Sequence, residues 1–117
     1  MADNFYPITF NHDGDSFIIT NNGTAPAPCK ITIIPKVDMM LLTIEGLSEK
    51  PITFSQLMAN EVLVIDGENR NITVNETPAF NRYGGWEFPK LQPGANNVTI
   101  SNGPHIALSI EFNARYL

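Results

Sequence analysis

A short segment in the second half of the chain combines aromatic residues with polar neighbours. Tyr83 and Trp86 flank two glycines, and Asn81 and Arg82 come directly before them. Aromatic rings can stack on the apolar faces of sugar rings, while amide and guanidinium groups form hydrogen bonds with hydroxyls. The segment is therefore a candidate contact surface for a glycan or a partner protein. The alternative is that Trp86 and Phe88 begin a strand and pack into the core with Tyr83 at its rim, as a lone tryptophan in a small domain usually does.

Residues that usually carry catalysis or bind metals are few. The two histidines, His12 and His105, are far apart and form no metal-binding spacing. Cys29 is a single thiol, which is typical of a small residue in or beside a strand. A pair of carboxylates for glycoside hydrolysis stays open, because such residues need only meet in space. Apart from that pair, the sequence predicts no catalytic residue, no metal site and no cofactor, and we expect a protein that is not an enzyme.

The end of the chain has the clearest strand pattern. Apolar residues occupy every second position from residue 106 to residue 116, with mostly polar residues between them. This alternation predicts one long strand with its even-numbered side chains in the core. Asn-Gly-Pro at residues 102–104 favours a hairpin loop. We therefore expect this strand to pair with residues 98–101 and to place Ile100 opposite Ile106.

Three further segments define the predicted architecture. Residues 61–65 and 70–75 alternate around turn-forming residues, which predicts a second hairpin with Leu63 and Ile65 on the core face. Residues 21–28 are rich in Gly and Pro, which favours a crossing between sheets.

Shorter patterns complete the prediction. Residues 31–34, 42–45 and 52–54 read as short strands, and only residues 54–60 are compatible with a helical turn. Pro93 and Gly94 fit the middle of a type II turn. Many short strands separated by turns indicate an all-β fold, a two-sheet antiparallel β-sandwich of the jelly-roll type.

Length and charge narrow the function classes. A chain of 117 residues has the length of one domain and can bury a core without a metal or disulfide. The net charge of −5 and the scattered basic residues disfavour nucleic acid and anionic membranes as partners. The sequence begins without a signal peptide and contains no apolar run of membrane-spanning length.

The order of several motifs resembles the C-terminal domain of siphophage distal tail proteins. NGTAPAP at residues 22–28 precedes an Ile-Thr-Ile strand, and VLVID follows at residues 62–66. FPKLQPGAN occupies residues 88–96, and the chain closes on EFNARYL at residues 111–117. Each motif is common alone, and their order and spacing over residues 17–117 carry the resemblance.

The resemblance implies a galectin-like β-sandwich and a structural role. In that family an N-terminal domain forms a hexameric ring at the tail tip, which joins the tail tube to the baseplate hub. The C-terminal sandwich decorates the ring and can hold receptor-binding proteins or other baseplate components. The implied location is the virion, at the phage tail tip, after assembly in the cytoplasm of the bacterial host. The family offers no catalytic residues.

The sequence lacks the ring-forming domain of that family. We therefore expect residues 1–117 to be one sandwich domain, in which residues 1–15 form a peripheral strand or a linker from the missing ring domain. We expect the isolated domain to be a monomer, although full-length family members are hexameric. The competing function hypothesis is a carbohydrate-binding module that recognises cell-surface glycans through the segment that contains Tyr83 and Trp86.

Overall fold

The computed structural model describes residues 4–8, 16–84, 87–101 and 105–113, and for residues 4–8 and residue 17 it describes the backbone alone. The described part consists of strands, turns and one short 3-10 helix. In chain order the strands are β1 (Asn4–Ile8), β2 (Ser16–Asn21), β3 (Ala27–Pro35), β4 (Met39–Glu45), β5 (Ile52–Leu57), β6 (Leu63–Asp66), β7 (Asn71–Val74), β8 (Thr77–Pro78), β9 (Lys90–Leu91), β10 (Gly94–Ile100) and β11 (Ile106–Phe112).

The strands form two antiparallel sheets, which confirms the predicted sandwich. The larger sheet has the spatial order β1-β11-β3-β6-β7-β8, and β9 pairs with the first residues of β3. The smaller sheet has the order β2-β10-β4-β5. The predicted crossing between sheets is confirmed, because β2 lies in the smaller sheet and β3 in the larger one. It is shorter than the predicted 21–28, since Asn21 ends β2 and Ala27 begins β3.

The core lies between the two sheets because alternation turns one side of each strand inward. Along β3, Cys29, Ile31 and Ile33 are fully buried, whereas the residues between them are half-buried. The buried apolar side chains of the larger sheet include Ile65, Ile72, Leu108 and Ile110, and those of the smaller sheet include Ile19, Leu42, Ile44, Ile52, Phe54, Val98 and Ile100. Burial of these apolar surfaces is the main force that holds the sheets together.

The predicted hairpin of residues 98–101 and 106–116 is wrong. β10 pairs with β2 and β4 in the smaller sheet, where Ile100 lies opposite Ile44, whereas β11 pairs with β1 and β3 in the larger sheet, where Ile106 lies opposite Pro35. The chain therefore passes from one sheet to the other between these strands. The apolar faces of β10 and β11 both point into the core. The same apolar–polar alternation is therefore compatible with a connection between the two sheets and with a hairpin within one sheet. The loop at residues 102–104 and residues 114–117 lie outside the described residues.

The second predicted hairpin is confirmed. β6 and β7 pair with Leu63 opposite Val74 and Ile65 opposite Ile72. Arg70, just before β7, has a φ of 54°, which is the left-handed backbone that a tight reversal requires.

The predicted helical turn at residues 54–60 is also wrong, because β5 runs through Leu57. Phe54 and Leu57 are both buried three residues apart, which imitates the spacing of a helix. In the strand this spacing arises because Gln56 has a φ of 59° and reverses the side-chain alternation. β4 makes the matching change, since Met39 lies opposite Leu57 and Leu42 lies opposite Phe54.

Two buried asparagines fix the loops at one end of the sandwich. The Asn21 amide donates to the carbonyl oxygens of Ala25 (3.2 Å) and Leu91 (3.1 Å), and its Oδ1 accepts from the Gly23 N–H. These hydrogen bonds hold the sheet crossing against β9. A buried amide that lost one of these hydrogen bonds would raise the free energy of the folded state. The hydrogen bonds therefore favour this loop conformation over others.

Asn96 has the same role in the predicted turn at Pro93 and Gly94. Its amide donates to the Gln92 carbonyl (2.8 Å) and the Gly94 carbonyl (3.1 Å), and its Oδ1 accepts from the Gln92 N–H. Gly94 has a φ of +92°, the positive value that the third position of a type II turn requires.

Candidate functional site

The predicted aromatic segment follows the 3-10 helix Phe80–Arg82 and runs along the edge of β5. Asn81 is exposed, and Arg82 and Tyr83 are half-buried. The backbone of Tyr83 pairs with Phe54, and the Gly84 N–H donates to the Thr53 carbonyl at 2.8 Å. The segment therefore covers the free edge of the smaller sheet. Trp86 lies outside the described residues.

Tyr83 makes several contacts within the domain. Its ring stacks on that of Phe88, with 5.9 Å between centroids, and both rings pack against the core. Its hydroxyl donates to the Glu87 carbonyl at 2.6 Å. Burial raises the pKa of Tyr83 to about 12, and the negative charge of Glu87 adds to this effect, so the hydroxyl stays protonated as a donor. Phe88 precedes β9 rather than beginning a strand, although it packs against the core as the alternative interpretation of this segment expected.

Arg82 also binds the domain itself. Its Nη1 donates to the Gln56 carbonyl at 2.8 Å, and its guanidinium carbon lies 5.2 Å from the centroid of the Phe54 ring. The structure thus brings Arg82 and Tyr83 to β5 and leaves Asn81 exposed beside them. A glycan contact through these residues stays a prediction.

A groove that the sequence did not indicate lies next to Arg82. It has a volume of about 470 Å³ and is lined by Asp38, Met39, Met40, Gln56, Met58 and Arg82. We call it the methionine groove. Met40 is 79% exposed and Met58 is 49% exposed. Single apolar side chains in contact with water are common on protein surfaces. These two lie side by side and form an apolar patch, which is typical of an interaction surface.

The exposure of Met40 follows from the reversed alternation of β4 and β5. Met39 and Leu42 point into the core, so Met40 and Leu41 between them remain outside. One feature of the sequence could have indicated this exposure. Positions 39–42 are four consecutive apolar residues, whereas a strand with one apolar face needs an apolar residue only at every second position.

Hydrogen bonds hold the loop that presents Met58. The Met58 N–H donates to the Glu61 carboxylate at 2.7 Å, and the Ala59 N–H donates to the Asp38 carboxylate at 2.8 Å. The Asn60 N–H donates to the Pro35 carbonyl at 2.8 Å, and Asn60 has a φ of 69°. The groove is therefore built on ordered backbone, which lowers the entropy cost of binding.

The family of the chain follows from its comparison with known proteins. A family model described as the siphovirus-type tail component, C-terminal domain, matches residues 22–116. The chain belongs to this family. No curated protein sequence matches it.

This tail-component domain is similar in fold to a solved phage protein, the Dit (gp 19.1) protein of phage SPP1. That protein is described as a paradigm of the hub adsorption apparatus in phages that infect Gram-positive bacteria. The TM-score is 0.75 at 10% sequence identity, and the match covers 95% of this chain and 46% of the SPP1 chain. The domain thus spans about half the length of that relative, and the likeness shows the fold.

Other reactive groups in the tail-component domain lie apart from the groove. Cys29 is fully buried, and this burial raises the pKa of its thiol to about 12, so the thiol stays neutral. His105 is exposed and lies directly before β11, and His12 lies outside the described residues. The described residues contain no cluster of three His, Cys, Asp or Glu side chains that could hold a metal ion. In the same part of the chain, no helix has the length and apolar character needed to cross a bilayer.

Proposed function

We propose that this domain is the structural attachment domain of a phage distal tail protein at the baseplate hub, where it holds receptor-binding or other tail-tip proteins. The observation that carries the proposal is the family match over residues 22–116. A tail component is a part of the virion. The distal position rests on the fold shared with SPP1 Dit, whose own description places it in a hub adsorption apparatus.

The methionine groove is the surface that we propose for attachment. Its occupant would be an apolar side chain of another tail protein, because a virion component is surrounded by such proteins. Met and Arg are enriched in protein interfaces, and the groove carries Met40, Met58 and Arg82. The aliphatic walls would bury the partner side chain, and the Arg82 side chain would cover one rim.

We also propose how the domain relates to the whole tail protein. We propose that residues 1–117 form one domain that acts by binding rather than by catalysis, with residues 1–15 as a peripheral strand or a linker. β1 lies at an edge of the larger sheet, which supports the first of these. The isolated domain would be a monomer, and hexamers would form only in a full-length protein that carries a ring-forming part. Assembly would take place in the cytoplasm of the bacterial host.

Immunogold electron microscopy of intact virions tests the distal position. Antibodies raised against the purified 117-residue domain should place gold at the tail tip, at the end opposite the capsid. Antibodies against the major tail-tube protein are the matched control and should label the tube. Gold along the tube or at the capsid, with a bare tip, would contradict the proposal.

A further inference from the structure

A row of charged residues crosses the outer face of the larger sheet. Glu111 of β11 lies opposite Lys30 of β3, and Lys30 lies opposite Asp66 of β6. The three side chains alternate with the inward-facing residues of their strands, so they share the face that points away from the core. All three are half-buried.

This row lines a cavity of about 160 Å³. The other residues of its wall are Pro28 of β3, Glu68 and Asn69 of the turn between β6 and β7, Phe112 of β11, and Asn113, which follows β11. The cavity is separate from the methionine groove and from the segment that contains Tyr83, because the residues that line it belong to the other sheet.

Several polar groups at this cavity have no partner in the described part of the chain. Oδ1 of Asn113 is buried and accepts no hydrogen bond from any described residue. The side chains of Lys30 and Glu111 likewise form no hydrogen bond or ion pair with the described residues, although cross-strand neighbours have Cβ atoms only about 4.5–5.5 Å apart. A buried acceptor without a donor is costly unless a ligand or water supplies the hydrogen bond.

Asp66 has a different role in the row. Its Oδ1 accepts from the backbone N–H groups of Glu68 (3.0 Å) and Asn69 (3.1 Å), and its Oδ2 accepts from the Asn69 amide (2.9 Å). The carboxylate therefore shapes the turn between β6 and β7, and it adds negative charge to the cavity. Among the described residues, the side-chain groups that remain for a ligand include one donor, the Lys30 ammonium, and two acceptors, the Glu111 carboxylate and Asn113 Oδ1.

These groups select against charged ligands. An anion would meet the carboxylates of Glu111, Asp66 and Glu68, and a cation would meet the ammonium of Lys30. A hydroxyl group both donates and accepts, so adjacent hydroxyls on a neutral ligand could satisfy all three unpartnered groups. The backbone at this position belongs to paired strands, so an extended peptide could not add itself as a further strand.

We propose that this cavity is a binding site for a neutral saccharide unit. Lys30 donates to one ring hydroxyl, and Glu111 and Asn113 Oδ1 accept from its neighbours. The volume lies below the ~300–1,000 Å³ of pockets for drug-sized ligands, so the site holds one terminal sugar ring rather than an extended chain. The site is independent of the attachment role, because it uses neither the methionine groove nor the residues around Arg82.

Nuclear magnetic resonance titration of the ¹⁵N-labelled chain tests the site. The probes are glucose, galactose and N-acetylglucosamine, with sodium sulfate and ammonium chloride as charged comparisons. At least one sugar should cause saturable shifts in the amide signals of Lys30, Asp66 and Glu111, whereas the two salts should not. Absence of saturable shifts with all three sugars, or equal shifts with either salt, would overturn the proposal.

Variants assign the binding to named side chains. Lys30→Met keeps the aliphatic stem and removes the donor, so the affinity for the sugar should fall about tenfold. Glu111→Gln should also weaken binding, because an uncharged amide is a weaker acceptor. Lys36→Met, at an exposed lysine outside the cavity, is the matched control and should bind as the unaltered chain does. Unaltered binding in both cavity variants, with folded spectra, would overturn the site.

Discussion

The guanidinium carbon of Arg82 lies 5.2 Å from the centroid of the Phe54 ring, and Nη1 of the same side chain donates to the Gln56 carbonyl. One arginine thus contacts both the core aromatic of β5 and the residue whose positive φ reverses the alternation of that strand. The contact joins the segment after the 3-10 helix to the free edge of the smaller sheet. An edge that is covered in this way is protected from pairing with another chain.

The first prediction concerns this contact. Arg82→Met keeps much of the aliphatic stem but removes the cation and the donor, so the free energy of unfolding should fall by about 1 kcal/mol. Urea denaturation followed by circular dichroism measures the change. Lys36→Met, at an exposed position, should leave the midpoint within error, and an equal loss in both variants would show that the Arg82 contacts contribute nothing specific.

The second prediction compares two glycines with positive φ. Gly46 has a φ of +103°, and a Cβ there would collide with the Asn97 carbonyl oxygen, whereas a Cβ on Gly94 would meet open space. Gly94→Ala should cost about 1–2 kcal/mol for the backbone conformation alone. Gly46→Ala should cost distinctly more, because the clash adds to the same strain. Thermal unfolding of the two variants checks the order, and a smaller loss at Gly46 would be inconsistent with the close approach of β10.

Side-chain alternation predicted the sandwich and the β6–β7 hairpin but did not determine the partner of β11. Alternation states which side chains face the core, and both sheets face the same core. The pairing of Ile106 with Pro35 rather than with Ile100 changes no buried face. The hydrogen-bond partners of a strand depend on where the chain crosses between sheets, and this depends on contacts between residues distant in sequence.

The candidate sites were harder to predict than the fold. The methionine groove exists because Gln56 has a positive φ. Such a value is uncommon for residues other than glycine, so the sequence did not predict it at a glutamine. Likewise, Glu111, Lys30 and Asp66 lie on three different strands. The order of these strands in the sheet cannot be predicted from a local sequence pattern. Arg82 and Tyr83 were recognised by type, but their contacts with Gln56 and Glu87 required the folded structure.

The third prediction concerns the pH dependence of stability through Cys29. The thiol has an ordinary pKa of 9.0 and a pKa of about 12 when buried. Above pH 9 the unfolded chain loses this proton while the folded chain keeps it, so stability falls as the pH rises from 9 towards 12 and is unaffected by this group below pH 9. At pH 10 the loss should be about 1.4 kcal/mol relative to pH 8.

Cys29→Ala provides the control for this pH effect. The variant should be less stable at every pH because it leaves a small void, but its stability should fall less between pH 8 and pH 10 than that of the unaltered chain. Urea midpoints at pH 8, 9 and 10 give the comparison. Parallel curves for the two proteins would mean that the Cys29 thiol ionises as easily in the folded chain as in the unfolded one.

The fourth prediction tests the methionine groove. Met40→Glu places a charge at a side chain that is 79% exposed, so folding should be unaffected, whereas binding to the tail protein that we propose as the occupant of the groove should weaken about tenfold or more. The measurement is co-elution or titration with the receptor-binding and baseplate proteins encoded beside the gene. Ile18→Glu is the matched control, because Ile18 is 67% exposed on β2 at the other edge of the same sheet. If Met40→Glu bound the partner as tightly as Ile18→Glu does, the groove would not be part of the interface.

The last prediction separates the aromatic segment from the polar cavity as a place for sugars. A stacking platform needs free ring faces, but Tyr83 stacks on Phe88 and Arg82 packs on Phe54. Cell-surface glycans should therefore leave the fluorescence of Trp86, the only tryptophan, unchanged, even where the amide signals of Lys30 and Glu111 shift. A saturable change in Trp86 emission that disappears in Asn81→Ala would instead locate glycan recognition in the segment beside Tyr83. Trp86 lies three residues after Tyr83 in the sequence, whereas Lys30 and Glu111 belong to the larger sheet, so a sugar bound at either place gives a distinct result.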